Sequence, residues 1–122
     1  MKKIYKRNWL FKLKSLAVFG ALLFAGTASA QLNGTYTIDA GGGGDFASFT
    51  DLADTLASDG ITGPVVVNVV AGTYTGAFEF SNITGSNATN TILINGNNAL
   101  VTSSSSETIN IEDAEYITIK KL

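Results

Sequence analysis

Two arrangements in this sequence have residue types that could do chemistry. In the first, "IDAGGGGDF", Asp39 and Asp45 bracket the run Gly41 to Gly44, after a strand-like stretch and before a helical one. Strand, glycine loop and helix is the layout by which backbone amides and a helix N-terminus receive a phosphate, and two carboxylates at a turn can begin a calcium site. The second is the acidic group Glu112, Asp113 and Glu115. Paired carboxylates held at a set separation across a sugar are what glycoside hydrolysis requires.

The spacing argues against both. A dinucleotide loop needs G-x-G-x-x-G, but counting from Gly41 the last position is Phe46, and from Gly42 it is Ala47. The P-loop needs Lys followed by Ser or Thr, and no lysine occurs between Lys14 and Lys120. Calcium takes six or more oxygen ligands, whereas two acids at a turn are usually caps and solvated groups. Glu112, Asp113 and Glu115 fall in one turn with only Tyr116 as an aromatic neighbour, which reads as a solvated turn. Asn82-Ile83-Thr84 and Asn87-Ala88-Thr89 match glycosylation sequons, whose meaning depends on the host, and Asn95, Asn97 and Asn98 read as turn residues. The sequence has neither cysteine nor histidine, which excludes disulfides, thiol catalysis, Ser-His-Asp triads and Cys/His zinc sites. These readings assign no catalytic residue, no cofactor-binding residue and no metal ligand.

Residues 1–30 read as an export signal. Lys2, Lys3, Lys6, Arg7, Lys12 and Lys14 precede an apolar run from Leu16 to Ala25, and Ala28-Ser29-Ala30 supplies small residues for cleavage after Ala30. The apolar run is about half of the ~20 residues a bilayer span requires, so no stable membrane span is expected after cleavage. Removing the signal leaves 92 residues with Lys120 and Lys121 as the basic groups against all ten acids, a net charge of −8. Such a surface repels phosphates, and nucleic acid is excluded as a partner.

Whatever the glycine loop does, it has to be positioned by the elements around it. Phe46, Phe49, Leu52, Ala53, Leu56 and Ala57 recur at steps of three and four, predicting a helix over 46–59 with Asp45 or Ser48 as cap and Gly60 at its end. "GTYTIDA" precedes it as a short strand. After Pro64 the period is two, predicting strands at 65–70, 77–80, 91–95, 99–102, 108–112 and 116–122, apolar on one face and wet on the other. Val67, Ile92 and Ile117 are spaced by 25 and 25, as are Val69, Ile94 and Ile119. A constant offset filled by further short strands is the pattern of stacked β coils, with an antiparallel sandwich as the alternative. In a stack, the helix would be a lid on the first coil, and the glycines would turn the chain onto its end.

"GGGDFASFTDLADTLASDG" followed by "PVVVNVVAGTYTGAFEF" resembles the opening of secreted right-handed parallel β-helix domains of the pectinesterase and pectate-lyase-like class, including a Gly72-Thr73-Tyr74 turn. The resemblance covers about Gly41 to Leu122. The signal and the Thr/Asn/Gly-rich style are similar to surface proteins of Bacteroidetes-type bacteria. The resemblance implies fold more than activity: pectinesterases use aspartates with an arginine and glutamines on later coils, and this chain has no arginine after Arg7.

The expected architecture is therefore mainly β. A signal at 1–30 precedes an N-terminal cap at 31–64 and the first two-odd coils of a right-handed parallel β-helix at 65–122, with the rest of the helix following Leu122. The expected function is structural or interactive at the cell exterior, secreted or on the cell surface, with polysaccharide or surface glycan as partner. The alternative is the N-terminal portion of a pectinesterase or polysaccharide lyase whose catalytic residues lie beyond residue 122. Because stacked coils bury their core against neighbours, the last coil is expected to expose apolar surface and strand edges.

Overall fold

The computed structural model describes residues 30–122, so the expected signal, apart from Ala30, lies outside the described residues. The protein is mainly β. Strand β1 (Leu32–Ile38) leads through the glycine loop to helix α1 (Phe49–Asp59), then to β2 (Ile61–Val69), β3 (Thr73–Thr75), β4 (Phe78–Ser81), β5 (Ile92–Asn95), β6 (Leu100–Thr102), β7 (Ile109–Glu112) and β8 (Ile117–Lys120). They form three sheets, ordered β1-β2-β5-β8, β3-β6 and β4-β7. Every strand pairing is parallel, which removes the antiparallel sandwich. A period of two does not distinguish the alternatives, because a strand with one buried face alternates the same way in either direction.

The sequence offset of 25 holds for one interval only. Ile92 pairs with Ile117 and Ile94 with Ile119, but Ile92 pairs with Val65, not Val67, and Ile94 with Val67, not Val69. The earlier interval is thus 27. A shift of two keeps the same side chains on the inner face, so spacing by face alone could not detect it. β1 pairs along its length with β2, Tyr36 opposite Val67, and so belongs to the main sheet rather than flanking it. β2 runs through the expected boundary at 64/65. Pro64 fits inside it because the β1–β2 register jumps between Leu32 and Gly34, and this bulge leaves the proline outside the regular ladder.

The helix begins at Phe49, three residues later than its apolar stripe suggests. Ser48 is extended at φ −153°, and its Oγ accepts a hydrogen bond from the Asp51 amide at 3.1 Å. The Asp51 carboxylate accepts one from the Ala47 amide at 3.4 Å, so side chains satisfy the donors that a helix start leaves open. Phe46 instead forms a parallel bridge with Ile38. Phe49, Leu52, Ala53 and Leu56 are buried, while Ala57, counted in the stripe, is exposed. α1 packs on β4 and β1. Phe49 stacks on Phe78 with ring centroids 4.8 Å apart and meets Tyr74 edge-on at 5.2 Å.

One core joins the helix to all three sheets: Val65, Val67 and Val69, Tyr74, Phe78 and Phe80, and Ile92 and Ile94 share it with Leu52 and Leu56. Fully burying side chains of this size contributes about 1.5–3 kcal/mol each. Tyr74, expected in a turn, is the inward residue of β3. Its hydroxyl donates to the Val70 carbonyl at 2.7 Å, with the Ile38 carbonyl at 3.2 Å, which holds β3 against the ends of β1 and β2.

Candidate functional site

The glycine loop is held by its own acids. Asp39 Oδ1 accepts from the Gly41 amide at 2.8 Å, and Asp45 Oδ2 accepts from the Thr37 amide at 2.8 Å. Gly42 turns in the left-handed region at φ 90°, its amide donating to the Asp39 carbonyl at 3.0 Å. Gly44 is needed for space: a Cβ there would stand 2.7 Å from the Thr37 carbonyl oxygen and 2.9 Å from the Asp39 amide nitrogen. The loop returns the chain so that Phe46 donates its amide to Thr37 and accepts from that of Asp39. The Gly41, Gly42 and Phe46 amides are thus spent in closing the loop onto β1 and Asp39.

The acidic group does not converge either. Glu112 ends β7 opposite Ser81, Asp113 takes a left-handed turn at φ 50° and Tyr116 another at φ 61°, and all three acids are exposed. Among the described residues, no three or more His, Cys, Asp or Glu side chains are grouped to hold a metal ion. Of the sequon asparagines, Asn82 is exposed in a left-handed turn at φ 48°, whereas Asn87 Oδ1 accepts from the Thr89 and Asn90 amides at 2.8 and 2.9 Å. A cleft of about 170 Å³ lies beside the helix start between Ala47–Thr50 and Thr73–Gly76, but no charged side chain lines it.

The arrangement with the most chemistry lies on the outer face of the four-stranded sheet. Register aligns Thr37, Asn68, Asn95 and Lys120 in one row across β1, β2, β5 and β8, and Thr35, Val66, Leu93 and Thr118 in the next. Asn95 Nδ2 donates to Asn68 Oδ1 at 3.1 Å, so the two half-buried amides form a rung-to-rung pair. Neighbouring rungs lie about 4.8 Å apart, and alternate residues along a strand about 6.6 Å apart. The surface therefore sets a band of amide, hydroxyl and ammonium groups beside a band containing two half-buried aliphatic side chains. Asn95 thus serves the strand rather than the turn, while Asn97 and Asn98 make the turn at φ 51° and 61°. The sequence reading missed the Asn68–Asn95 pair because it measured 25 between rungs, whereas the same residue type recurs at 27.

A second exposed surface is formed by β6, β7 and β8, the last strands of their sheets among the described residues. Each of these strands has a partner on one side only. Leu100, Ile109, Ile111 and Leu122 are 58, 38, 48 and 39% exposed, and Ile117 and Ile119 are only half-buried although they register with the fully buried Ile92 and Ile94. No helix among the described residues is long and apolar enough to cross a membrane. No protein-family model matches this chain, and the searches of curated proteins and of solved structures also return no match.

Proposed function

We propose that this chain is the opening segment of an exported right-handed parallel β-helix, a structural element of the cell exterior whose outer sheet face engages polysaccharide or surface glycan. The β-helix reading is supported by the order in which the chain visits its sheets. β2, β3 and β4 fall in three different sheets, β5, β6 and β7 revisit them in the same order, and β8 returns to the first. Export is supported by the signal-like residues 1–30, and by a composition rich in Thr, Asn and Gly.

The observation that carries the glycan reading is the pair of rows on the four-stranded sheet. Sugars present hydroxyls at their ring edges and C–H groups on their faces. A band of Asn68, Asn95, Thr37 and Lys120 beside Val66 and Leu93 offers partners to both at regular strand spacing. With ten acids against two lysines in 31–122, a neutral glycan or one met at Lys120 suits this surface better than a polyanion.

The test is retention of the purified chain on insoluble pectin, xylan, cellulose and chitin, beside Asn95→Ala and Lys120→Ala. Retention on at least one polymer, weakened tenfold or more by Asn95→Ala with the fold intact by circular dichroism, is the expected result. No retention on any polymer, or retention that both variants leave unchanged, would reject the sheet face as a glycan site.

A further inference from the structure

In the first round of strands, β2 to β4, the edges facing away from the second round are covered unequally. β2 is paired on that side with β1, and β4 packs against α1. β3 has β6 as its only strand partner among the described residues. The Leu100 amide donates to the Gly72 carbonyl at 2.8 Å and the Gly76 amide to the Thr102 carbonyl at 2.7 Å, so these groups of Gly72 and Gly76 face β6. Alternation along the strand turns the peptide groups of Thr73 and Thr75 the other way. Neither the amides nor the carbonyls of these two threonines have a hydrogen-bond partner among the described residues.

That edge borders the cleft of about 170 Å³, whose facing wall is the segment Ala47 to Thr50. Both threonines are exposed, as are Ala47 and Thr50 opposite. A Cβ built on Gly76 would meet nothing within 4 Å, so the rim is open there. Ala40, Ala47 and Val101 give the cleft apolar surface. Its volume is well below the ~300–1,000 Å³ of a pocket for a drug-sized molecule, which suits one ring rather than a chain.

The lining selects the occupant. No charged side chain contributes to it, so an ion finds no counter-charge. An added strand would have to lie about 4.8 Å from β3 along its length, where Ala47 to Thr50 stand, and three residues with two outward peptides give it little to pair with. A sugar hydroxyl both donates and accepts, as a serine or threonine hydroxyl does, and so matches a row of amides, carbonyls and Thr hydroxyls in which both kinds of partner occur.

We infer that this cleft binds a single neutral sugar ring, either a free monosaccharide or the terminal unit of a longer glycan. The ring's hydroxyls pair with the outward peptides of Thr73 and Thr75, and its C–H surface lies against the alanines and Val101. All the walls lie between Ala40 and Val101. The inference rests on this edge and cleft and not on the outer-sheet reading, and the two are tested by different measurements.

The test is a titration of the purified, ¹⁵N-labelled chain with D-glucose, D-galactose, D-xylose and D-galacturonate, followed by amide chemical shifts. At least one neutral sugar should shift the Thr73 and Thr75 amides saturably, with a dissociation constant in the millimolar range, and galacturonate should bind at least tenfold more weakly. Ala47→Phe, which fills the cleft from an exposed position, should weaken binding at least tenfold, and Thr73→Val with Thr75→Val, which removes both hydroxyls at nearly constant volume, at least threefold. The trisaccharide of the sugar that binds separates the two sources: equal or tighter binding means a terminal unit, and binding tenfold weaker means the free sugar. No saturable shift with any neutral sugar, equal binding of galacturonate, or binding that Ala47→Phe leaves unchanged would overturn the inference. If Ala47→Phe does not fold, the valine pair decides.

Discussion

Phe49→Ala tests whether α1 holds the fold together. Phe49 is 2% exposed; its ring lies flat on Phe78 at an interplanar angle of 11° and edge-on to Tyr74 at 79°. Truncating a buried phenylalanine to alanine costs about 3–5 kcal/mol, and each well-formed aromatic pair contributes about 0.5–1.5 kcal/mol beyond its buried area. Because a helix packed on β4 and β1 can settle partway into the vacated space, the expected loss is about 3–4 kcal/mol. At roughly 0.05–0.15 kcal/mol per residue, a chain of this size has about 5–14 kcal/mol in total, so the change would consume a large part of it. Urea unfolding followed by tyrosine fluorescence would show the midpoint falling by about 2–3 M at an m-value near 1–2 kcal/mol per M. Asp54→Ala, on the exposed face of the same helix, should change stability by no more than about 0.5 kcal/mol. A loss below about 1 kcal/mol for Phe49→Ala, or equal losses for the two variants, would refute the view that the helix seals the core.

Ser48→Ala removes the side-chain acceptor for the Asp51 amide and should cost about 1 kcal/mol, read from the same urea curves; no measurable loss would mean that the cap is idle. Within the glycines, Gly44→Ala should destabilise by about 1–3 kcal/mol because its methyl meets the backbone of Thr37 and Asp39. Gly72→Ala, where nothing lies within 4 Å, should be neutral or slightly stabilising, and thermal melts of the two variants would separate a packed glycine from a merely flexible one.

What the sequence disclosed follows from what periodicity can carry. Alternation located β2 and β4 to β8 to within a residue or two, apart from the start of β2 at Ile61, and missed β3 (Thr73–Thr75), while the Phe49, Leu52, Leu56 stripe located the helix. Periodicity reports which face is buried but not which strand is the neighbour, so the 27-residue interval was not legible from Val67 and Ile92, whereas the parallel direction followed from the repeat offset and the resemblance. Phe46 belongs to the apolar stripe by spacing alone; its backbone is drawn to Ile38 by a loop whose geometry depends on Asp39, Asp45 and Gly44 together. Tyr74 was placed in a turn by the resemblance of Gly72-Thr73-Tyr74 to the opening of β-helix domains, and the hydroxyl contacts that make it structural involve chain as distant as Ile38. The Asn68–Asn95 pair depends on register, which is known only once the rungs are aligned.

The lengths of the pairing intervals bear on how the molecule assembles in time. Tyr36 meets Val67, Val65 meets Ile92, Phe78 meets Ile109 and Ile92 meets Ile117, so no strand pairs with chain more than 31 residues away. Loop closure over such distances costs little more with each added round, since the entropy grows only with the logarithm of length. A polypeptide emerging N-terminus first would therefore have β1, the glycine loop and α1 available before β2 arrives, and each later strand would settle on an edge already in place. Short intervals of this kind would let the order of synthesis become the order of assembly, each strand finding its neighbour already made.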